Sequence, residues 1–343
     1  MKTLLFVLVT IFILWKLWRG LNWSEVRASF GQADPLLLAA ALVASAATNF
    51  LRGCRWRALL SPLTPVSFHD VFAATNIGIG ASFLFGPALG EIIRPLTLPL
   101  INRQVRPTAS FLTIMFERVC DLTILFVFFG LTLLWLPLVN NPKRSAQLRE
   151  VGTILLVLPW IGLGALLLVK RGYLKMPQRL SETFARWQLA PDGLRRAASN
   201  SFRKLLSALS VLSNARELIT VALWSAGLWL ANLMAVWVTL LAFGANFGLK
   251  ETLLVVCCGL IGSLVPIPGG AAGAFHAAFS SGLIFLGLTI ERAAAISITS
   301  HLIGFLPALV FGSYYLLRGS VNLAHLKRKL SEATQESGDR WQS

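Results

Sequence analysis

The stretch that decides the fold is IGSLVPIPGGAAGAFHAAF, residues 261–279. It lies among Leu, Val and Phe, yet it carries Pro266, Pro268, Gly269, Gly270, Gly273 and His276. In lipid a helix must satisfy its own backbone; proline removes a donor and glycine loosens the turn. A plain membrane anchor has no use for such a break. The pattern predicts a half-helix ended by Pro266 and Pro268, a turn at Gly269 and Gly270, and a second helix that Gly273 lets pack closely. That second helix begins with free N–H groups and a positive dipole end. Donors at depth are tolerated only against protein or a cavity, and they suit an anion such as a lipid phosphate. Tight packing through small residues is the plainer alternative.

The surrounding sequence supports a bilayer setting. The chain has 343 residues, 55% hydrophobic and only 13% charged, against about 25% charged in soluble domains. Apolar runs long enough to cross recur near 3–18, 35–51, 108–139, 151–169, 218–243, 270–288 and 294–316. Two more, 71–90 and 252–268, are broken by Gly and Pro. The expected fold is all-α: a polytopic integral membrane bundle of about six to eight transmembrane helices with two re-entrant segments. Residues 1–34 read as an uncleaved N-terminal anchor and loop, 35–318 as the main transmembrane domain, and 319–343 as a polar tail.

The net charge of +16 does not indicate nucleic acid. Between 170 and 217 stand ten Lys or Arg against three acids, with no aromatic-interleaved groove. A cytoplasmic loop facing anionic headgroups fits better. The four cysteines have no zinc or disulfide spacing, and Cys257 and Cys258 read as small buried hydrophobes. Neither a metal nor another cofactor is expected.

The basic loop fixes the orientation. With 170–217 inside, the tail at Lys327, Arg328 and Lys329 is also inside, and both termini are expected in the cytoplasm of a plasma or inner membrane. Residues 252–288 must then enter and leave from the outer side. Basic clusters flank 71–90, with Arg52, Arg55 and Arg57 before it and Arg94, Arg103 and Arg106 after it. That segment should therefore dip from the cytoplasmic side, although Lys143, Arg144 and Arg149 then fall outside. IGASFLFGPALGE from Ile79 and IGSLVPIPGGAAG from Ile261 share a layout, so an inverted repeat and a chance likeness both fit.

Charges at membrane depth cost on the order of 3 kcal/mol each. In FERVCDL, Glu117 and Asp121 share a helix face, with Arg118 beside one and three residues before the other. A structural ion pair and a polar wall of a headgroup path are both open readings. Glu91 and Arg94 close the first dip at i,i+3, either paired locally or with Arg94 meeting a lipid phosphate. Arg52 and Arg55 read mainly as positive-inside anchors, with Trp56 at the interface. His276 and His301 fall on separate helices and form no metal motif; a hydrogen-bonded interior role and a proton-carrying one both fit.

Taken in order, LRGCRWRALL, ALGEIIRP, FERVCDL and VPIPGGAAGAFHAAF resemble the lysylphosphatidylglycerol synthase transmembrane region family, a flippase-like membrane domain also called uncharacterised family 0104. The resemblance spans roughly 35–318. It implies a domain of about eight helices with re-entrant elements. Some members are fused to a cytosolic aminoacyl-lipid synthase whose product they move between leaflets. Others stand alone, including ones linked with hopanoid lipids or archaeal lipid-linked glycosylation. Arg52, Arg55, Glu91, Arg94, Glu117, Arg118 and the 266–273 turn match characteristic family positions. Where the family usually has a Glu after its glycine turn, this chain has His276, one residue later. The tail is too short for the synthase domain, so no synthase activity is expected.

The expected function is lipid transport without enzymatic chemistry, on anionic, polyprenyl or hopanoid-type lipids. The alternative is a non-catalytic partner of a lipid-modifying enzyme in a lipid or glycolipid synthesis complex. A membrane glycosyltransferase is less favoured, since no nucleophile–base pair or nucleotide loop is evident.

Overall fold

The computed structural model describes residues 19–135, 142–170, 215–264 and 271–318. The first apolar run, most of the basic loop, the polar tail, and Pro266, Pro268, Gly269 and Gly270 lie outside them. Regular structure among the described residues is helical throughout: α1 (Trp23–Gln32), α2 (Pro35–Leu60), α3 (Phe68–Phe85), α4 (Pro87–Ile101), α5 (Pro107–Trp135), α6 (Pro142–Lys170), α7 (Ala215–Ala242), α8 (Leu249–Ser263), α9 (Ala272–Phe285) and α10 (Ile290–Leu317).

Four of these are long and apolar enough to cross a bilayer: α2, α5, Arg216–Ala242 of α7, and α10. Large apolar side chains on them stay uncovered by protein, among them Val43, Leu122, Leu223 and Val310. An apolar exterior of this kind suits lipid. The chain is a polytopic helical membrane protein.

Helix ends follow local chemistry. Asp34 Oδ1 accepts from Leu36 N at 2.8 Å and Leu37 N at 3.2 Å, capping α2. Ser67 Oγ caps α3 by accepting from Asp70 N at 3.1 Å, and Thr289 Oγ1 accepts from Arg292 N at 3.4 Å at the head of α10. The break between α3 and α4 is Gly86, at φ 96°, followed at once by Pro87. Only glycine enters that region without strain, and proline suits a first helical turn.

The chain forms two compact units. One holds the described residues within 1–57, 66–107 and 224–343; the other holds those within 58–65 and 108–223. In the second unit, Leu59, Phe116 and Val221 form a buried cluster. There α5 and α6 cross closely at Gly130 and Gly152.

In the first unit α3 and α4 are an antiparallel hairpin: Asn102 donates to Asp70 Oδ2 at 3.1 Å at its open end, and Gly90 lies against Ser82 near its tip. α8 and α9 form a second hairpin, with Gly282 against Cys258 at the open end and Gly262 against Ala274 near the tip. A Cβ on Gly262 would come within 2.7 Å of the Phe275 Cα, so the two backbones touch.

Both hairpins pack on α10, from opposite ends. Along α3, His69 and Phe72 meet Tyr315, Phe72 meets Phe311, the carbonyl of Asn76 meets Gly312, and Phe83 meets Phe305 and His301. The first hairpin thus enters beside the C-terminal end of α10. Along α9, Ser280 Oγ reaches the Ala293 carbonyl at 3.4 Å and His276 reaches Ser297 and His301. The second therefore enters beside the N-terminal end. The sequence expected entries from opposite sides, and the packing within this unit has that polarity.

Three readings need correcting. The first hairpin is not 71–90 but runs over α3 and α4, from Phe68 to Ile101. Glu91 and Arg94 therefore begin its returning arm rather than closing it. Pro95 and Pro99 disguised that arm, although α4 tolerates both. Within 19–34, read as loop, α1 adds Val26, 2% exposed, to the core cluster that includes Phe243, Phe279 and Ile296. Finally, Trp56 is not interfacial: it is fully buried, as is Arg55.

Replacing Gly262 by Val should force the hairpin backbones apart, at about 1–3 kcal/mol. Thermal unfolding in detergent checks this, and a Gly162→Val control should change little, because nothing lies near Gly162. For sidedness, single cysteines at exposed Gln104 and Asn246, in a background without native cysteines, should react with an impermeant reagent from opposite faces of the membrane.

Candidate functional site

The buried charge of the first unit is cationic. Arg94 is 4% exposed, and its guanidinium carbon lies 4.2 Å from the centroid of the Trp56 ring. This is cation–π geometry, and it explains the burial of Trp56: the indole forms a face under the cation. Arg94 also fits because Gly78 stands opposite; a Cβ there would lie 2.6 Å from the Arg94 Cβ. Arg55 is wholly buried, and its Nη1 donates to Ser225 Oγ at 3.4 Å. Positive-inside anchoring therefore does not account for it, since an anchor keeps its head in the headgroup layer. Arg52 is half-buried on the same helix.

Polar groups accompany these cations. Thr97 is buried and donates to the Ile93 carbonyl at 2.7 Å. Asn49, Thr75 and Asn76 are also buried. Asn49 Nδ2, Thr75 Oγ1 and Asn76 Oδ1 have no hydrogen-bond partner among the described residues. Buried polar atoms in this state need water or a ligand to satisfy them.

In the second unit, the FERVCDL cluster is an ion pair beside a buried acid. Arg118 Nη2 lies 3.2 Å from Asp121 Oδ2, with side chains 34% and 13% exposed. Glu117, one position before Arg118, is completely buried. The expected charge sharing is present for Arg118 and Asp121. In the first unit, Glu91 is half-buried on α4.

The third cluster lies where the hairpin tips converge on α10. The rings of His276 and His301 are 4.9 Å apart between centroids. The His276 Nδ1 is 3.1 Å from Ser297 Oγ. The His301 ring also meets Phe275 at 4.8 Å, Phe305 at 5.1 Å and Phe83 at 5.8 Å. Both histidines are buried, at 6% and 4% exposure. The interior hydrogen-bonded role holds for His276. It fails for His301, whose two ring nitrogens have no hydrogen-bond partner among the described residues.

Gly273 is buried in the first turn of α9, which follows Ala271 at φ 62°. Pro266, Pro268, Gly269 and Gly270 fall outside the described residues. The sequence placed Trp56 at the interface and did not single out Ser225, Asn49, Asn76, Phe83, Ser297 or Phe305.

The resemblance expected over roughly 35–318 is borne out by the comparison with known families. The sequence profile of the lysylphosphatidylglycerol synthase TM region matches residues 3–312. The chain belongs to this family. It is similar to the UPF0104 membrane protein PH1989 of Pyrococcus horikoshii, 22% identical over 333 residues, covering 91% of this chain and 95% of that protein. No solved structure matches it.

Truncating Trp56 to Ala should cost about 3–5 kcal/mol of stability, because it opens a core space and strips Arg94 of its face. Trp56→Phe should retain most of that. Thermal unfolding in detergent distinguishes the two.

Proposed function

We propose that this protein moves lipids between membrane leaflets, as a flippase-like transporter of lipids with an anionic headgroup, including polyprenyl- or hopanoid-linked ones. The observation that carries the reading is the pair of hairpins packed on α10 from opposite ends, with their tips converging. Interrupted helices of opposed polarity around a mid-membrane site are a recurrent transporter arrangement. Such pairs allow one hairpin to loosen while the other stays packed, which alternating access requires.

The buried cations support an anionic cargo. Arg55 and Arg94 lie out of contact with solvent, and an arginine fork matches phosphate oxygens two at a time. Trp56 holds Arg94 in place through its ring face. The unsatisfied Asn and Thr groups on α2 and α3 suit the hydroxyls and ester oxygens of a headgroup. In the second unit, Glu117 and the Arg118–Asp121 pair are further polar groups at depth. The work is transport without covalent chemistry, in a plasma or inner membrane with both termini cytoplasmic.

Reconstitution into phosphatidylglycerol vesicles with a leaflet-resolved assay of fluorescent phosphatidylglycerol tests the reading. Transfer should exceed that of empty vesicles. Arg94→Gln and Glu117→Gln should each slow it about tenfold, the loss of one charge-assisted contact, while the protein stays folded. Transfer equal to empty vesicles across phosphatidylglycerol, polyprenyl phosphate and hopanoid lipids would refute the reading.

A further inference from the structure

The middle of the first unit carries hydrogen-bonding capacity that a phosphate does not use. Thr75 and Asn76 on α3 are completely buried, and Asn49 on α2 is 4% exposed. Thr75 Oγ1, Asn76 Oδ1 and Asn49 Nδ2 have no hydrogen-bond partner among the described residues. Atoms left this way in a protein interior are costly unless something else meets them.

The packing of α2, α3 and α10 brings these groups to one level. Ser45 Oγ donates to the Ile303 carbonyl at 2.7 Å, and Phe83 meets Phe305 on the same part of α10. About two turns further along α2, a Cβ on Gly53 would lie 3.1 Å from the Phe68 ring and 3.4 Å from the Phe72 ring. α2 therefore runs antiparallel to α3, with Ser45 level with Phe83 and Gly53 level with 68–72. Asn49 stands four residues from each, on the helix face they share, and so is level with 75–78. Thr75 stands three residues from Phe72 on one side and from Gly78 on the other, and Gly78 is the glycine under Arg94. Trp56, which carries the Arg94 guanidinium, is seven residues beyond Asn49, about 10 Å along α2.

The donors and acceptors in this set define what they can recognise. Asn76 Nδ2 donates to the Phe72 carbonyl at 2.8 Å. A carbonyl takes only a donor, so the remaining Asn76 atom, Oδ1, is an acceptor. An ionised phosphate oxygen only accepts and cannot answer it. Asn49 Nδ2 is a donor, and an ammonium group, which only donates, cannot answer that. A hydroxyl does both: it accepts from Asn49 and donates to Asn76. Thr75 Oγ1 takes either part toward a neighbouring hydroxyl.

We propose that Asn49, Thr75 and Asn76 form a hydroxyl-recognising subsite, which selects anionic lipids whose headgroup carries free hydroxyls, as a glycerol or sugar phosphate does. The proposal rests on the transport reading above and narrows its cargo. The phosphate lies with the buried cations, and the polyol lies with the neutral amides and the threonine. A headgroup without a hydroxyl leaves Asn76 Oδ1 and Asn49 Nδ2 unmatched. Selection therefore works by a penalty on the wrong lipid as well as by contacts to the right one.

Two lipids isolate the hydroxyl. Phosphatidylglycerol and phosphatidylpropanol share their charge and headgroup carbon chain and differ only in the hydroxyls. Calorimetric titration of their short-chain forms into the full chain in detergent should favour phosphatidylglycerol about tenfold. In Asn76→Leu and in Asn49→Leu, which exchange an amide for an apolar group of similar size, the preference should fall to about one. Thr75→Val keeps the side-chain shape and should narrow the preference; it serves where thermal unfolding shows that an Asn variant does not fold. Equal affinity of the parent for the two lipids would overturn the proposal, leaving the three groups to water alone. A preference that persists in all the folded variants would also overturn it. Free glycerol phosphate bound as tightly as the lipid would overturn the assignment to a lipid.

A second arm separates the subsite from transport. Leaflet-resolved transfer of fluorescent phosphatidylglycerol in vesicles should exceed that of phosphatidylpropanol, in the same order as binding. A binding preference that the variants abolish, with neither lipid transferred, would uphold the subsite and overturn the transport reading. Equal binding with equal transfer of both lipids would uphold transport and overturn the subsite.

Discussion

A backbone that turns round inside lipid must be covered by protein, because nothing else at that depth can meet its polar groups. In this chain α10 supplies the cover for both hairpins. α3 runs antiparallel along its C-terminal half and α9 along its N-terminal half. With little hydrophobic driving force between helices in lipid, closeness has to come from small residues. That explains Gly262 against Ala274, Gly90 against Ser82, and Gly312 against the backbone of Asn76. The rest of the first unit depends on these contacts: the depth of the tips, the register that joins the histidines, and the positions of Arg94 and Trp56.

The outside and inside of the molecule then divide by chemistry. Leu, Val and Ile project outward from α2, α7 and α10, where lipid receives them at no cost. Inside stand Arg55, Arg94, Thr75, Asn76 and Thr97, each a group that lipid would exclude. Asn49, Thr75 and Asn76 add open hydrogen-bonding capacity to that interior.

Much of this was legible in the sequence, and the losses have physical causes. The second hairpin could be read because prolines and glycines inside an apolar run have no other use. The first was misjudged at its far end, because Pro95, Pro99 and Arg94 made the returning arm resemble a loop. A basic cluster after a long apolar helix normally marks an interface, so Arg55 and Trp56 were read as anchors. The reason they are buried, a cation seated on an indole from another helix, does not show in local sequence. The pairing of His276 with His301 was equally hidden: 25 positions separate them, and only the antiparallel register of α9 and α10 brings the rings together. α1 was missed because ten mostly polar residues carry too little pattern, although Asn22 and Glu25 do form a capping pair.

The central claim is that two hairpins enter from opposite ends of α10 and bring their tips to mid-bilayer. Spin labels report depth directly through the competing effects of oxygen and a polar nickel chelate on their relaxation. The sites are exposed Leu84, next to the first tip, and exposed Leu264, next to the second, with exposed Trp23 of α1 as a shallow reference. The account predicts that the labels at Leu84 and Leu264 both lie near the bilayer centre, while the label at Trp23 lies near the headgroups. A label at either tip residing in the headgroup layer would contradict it.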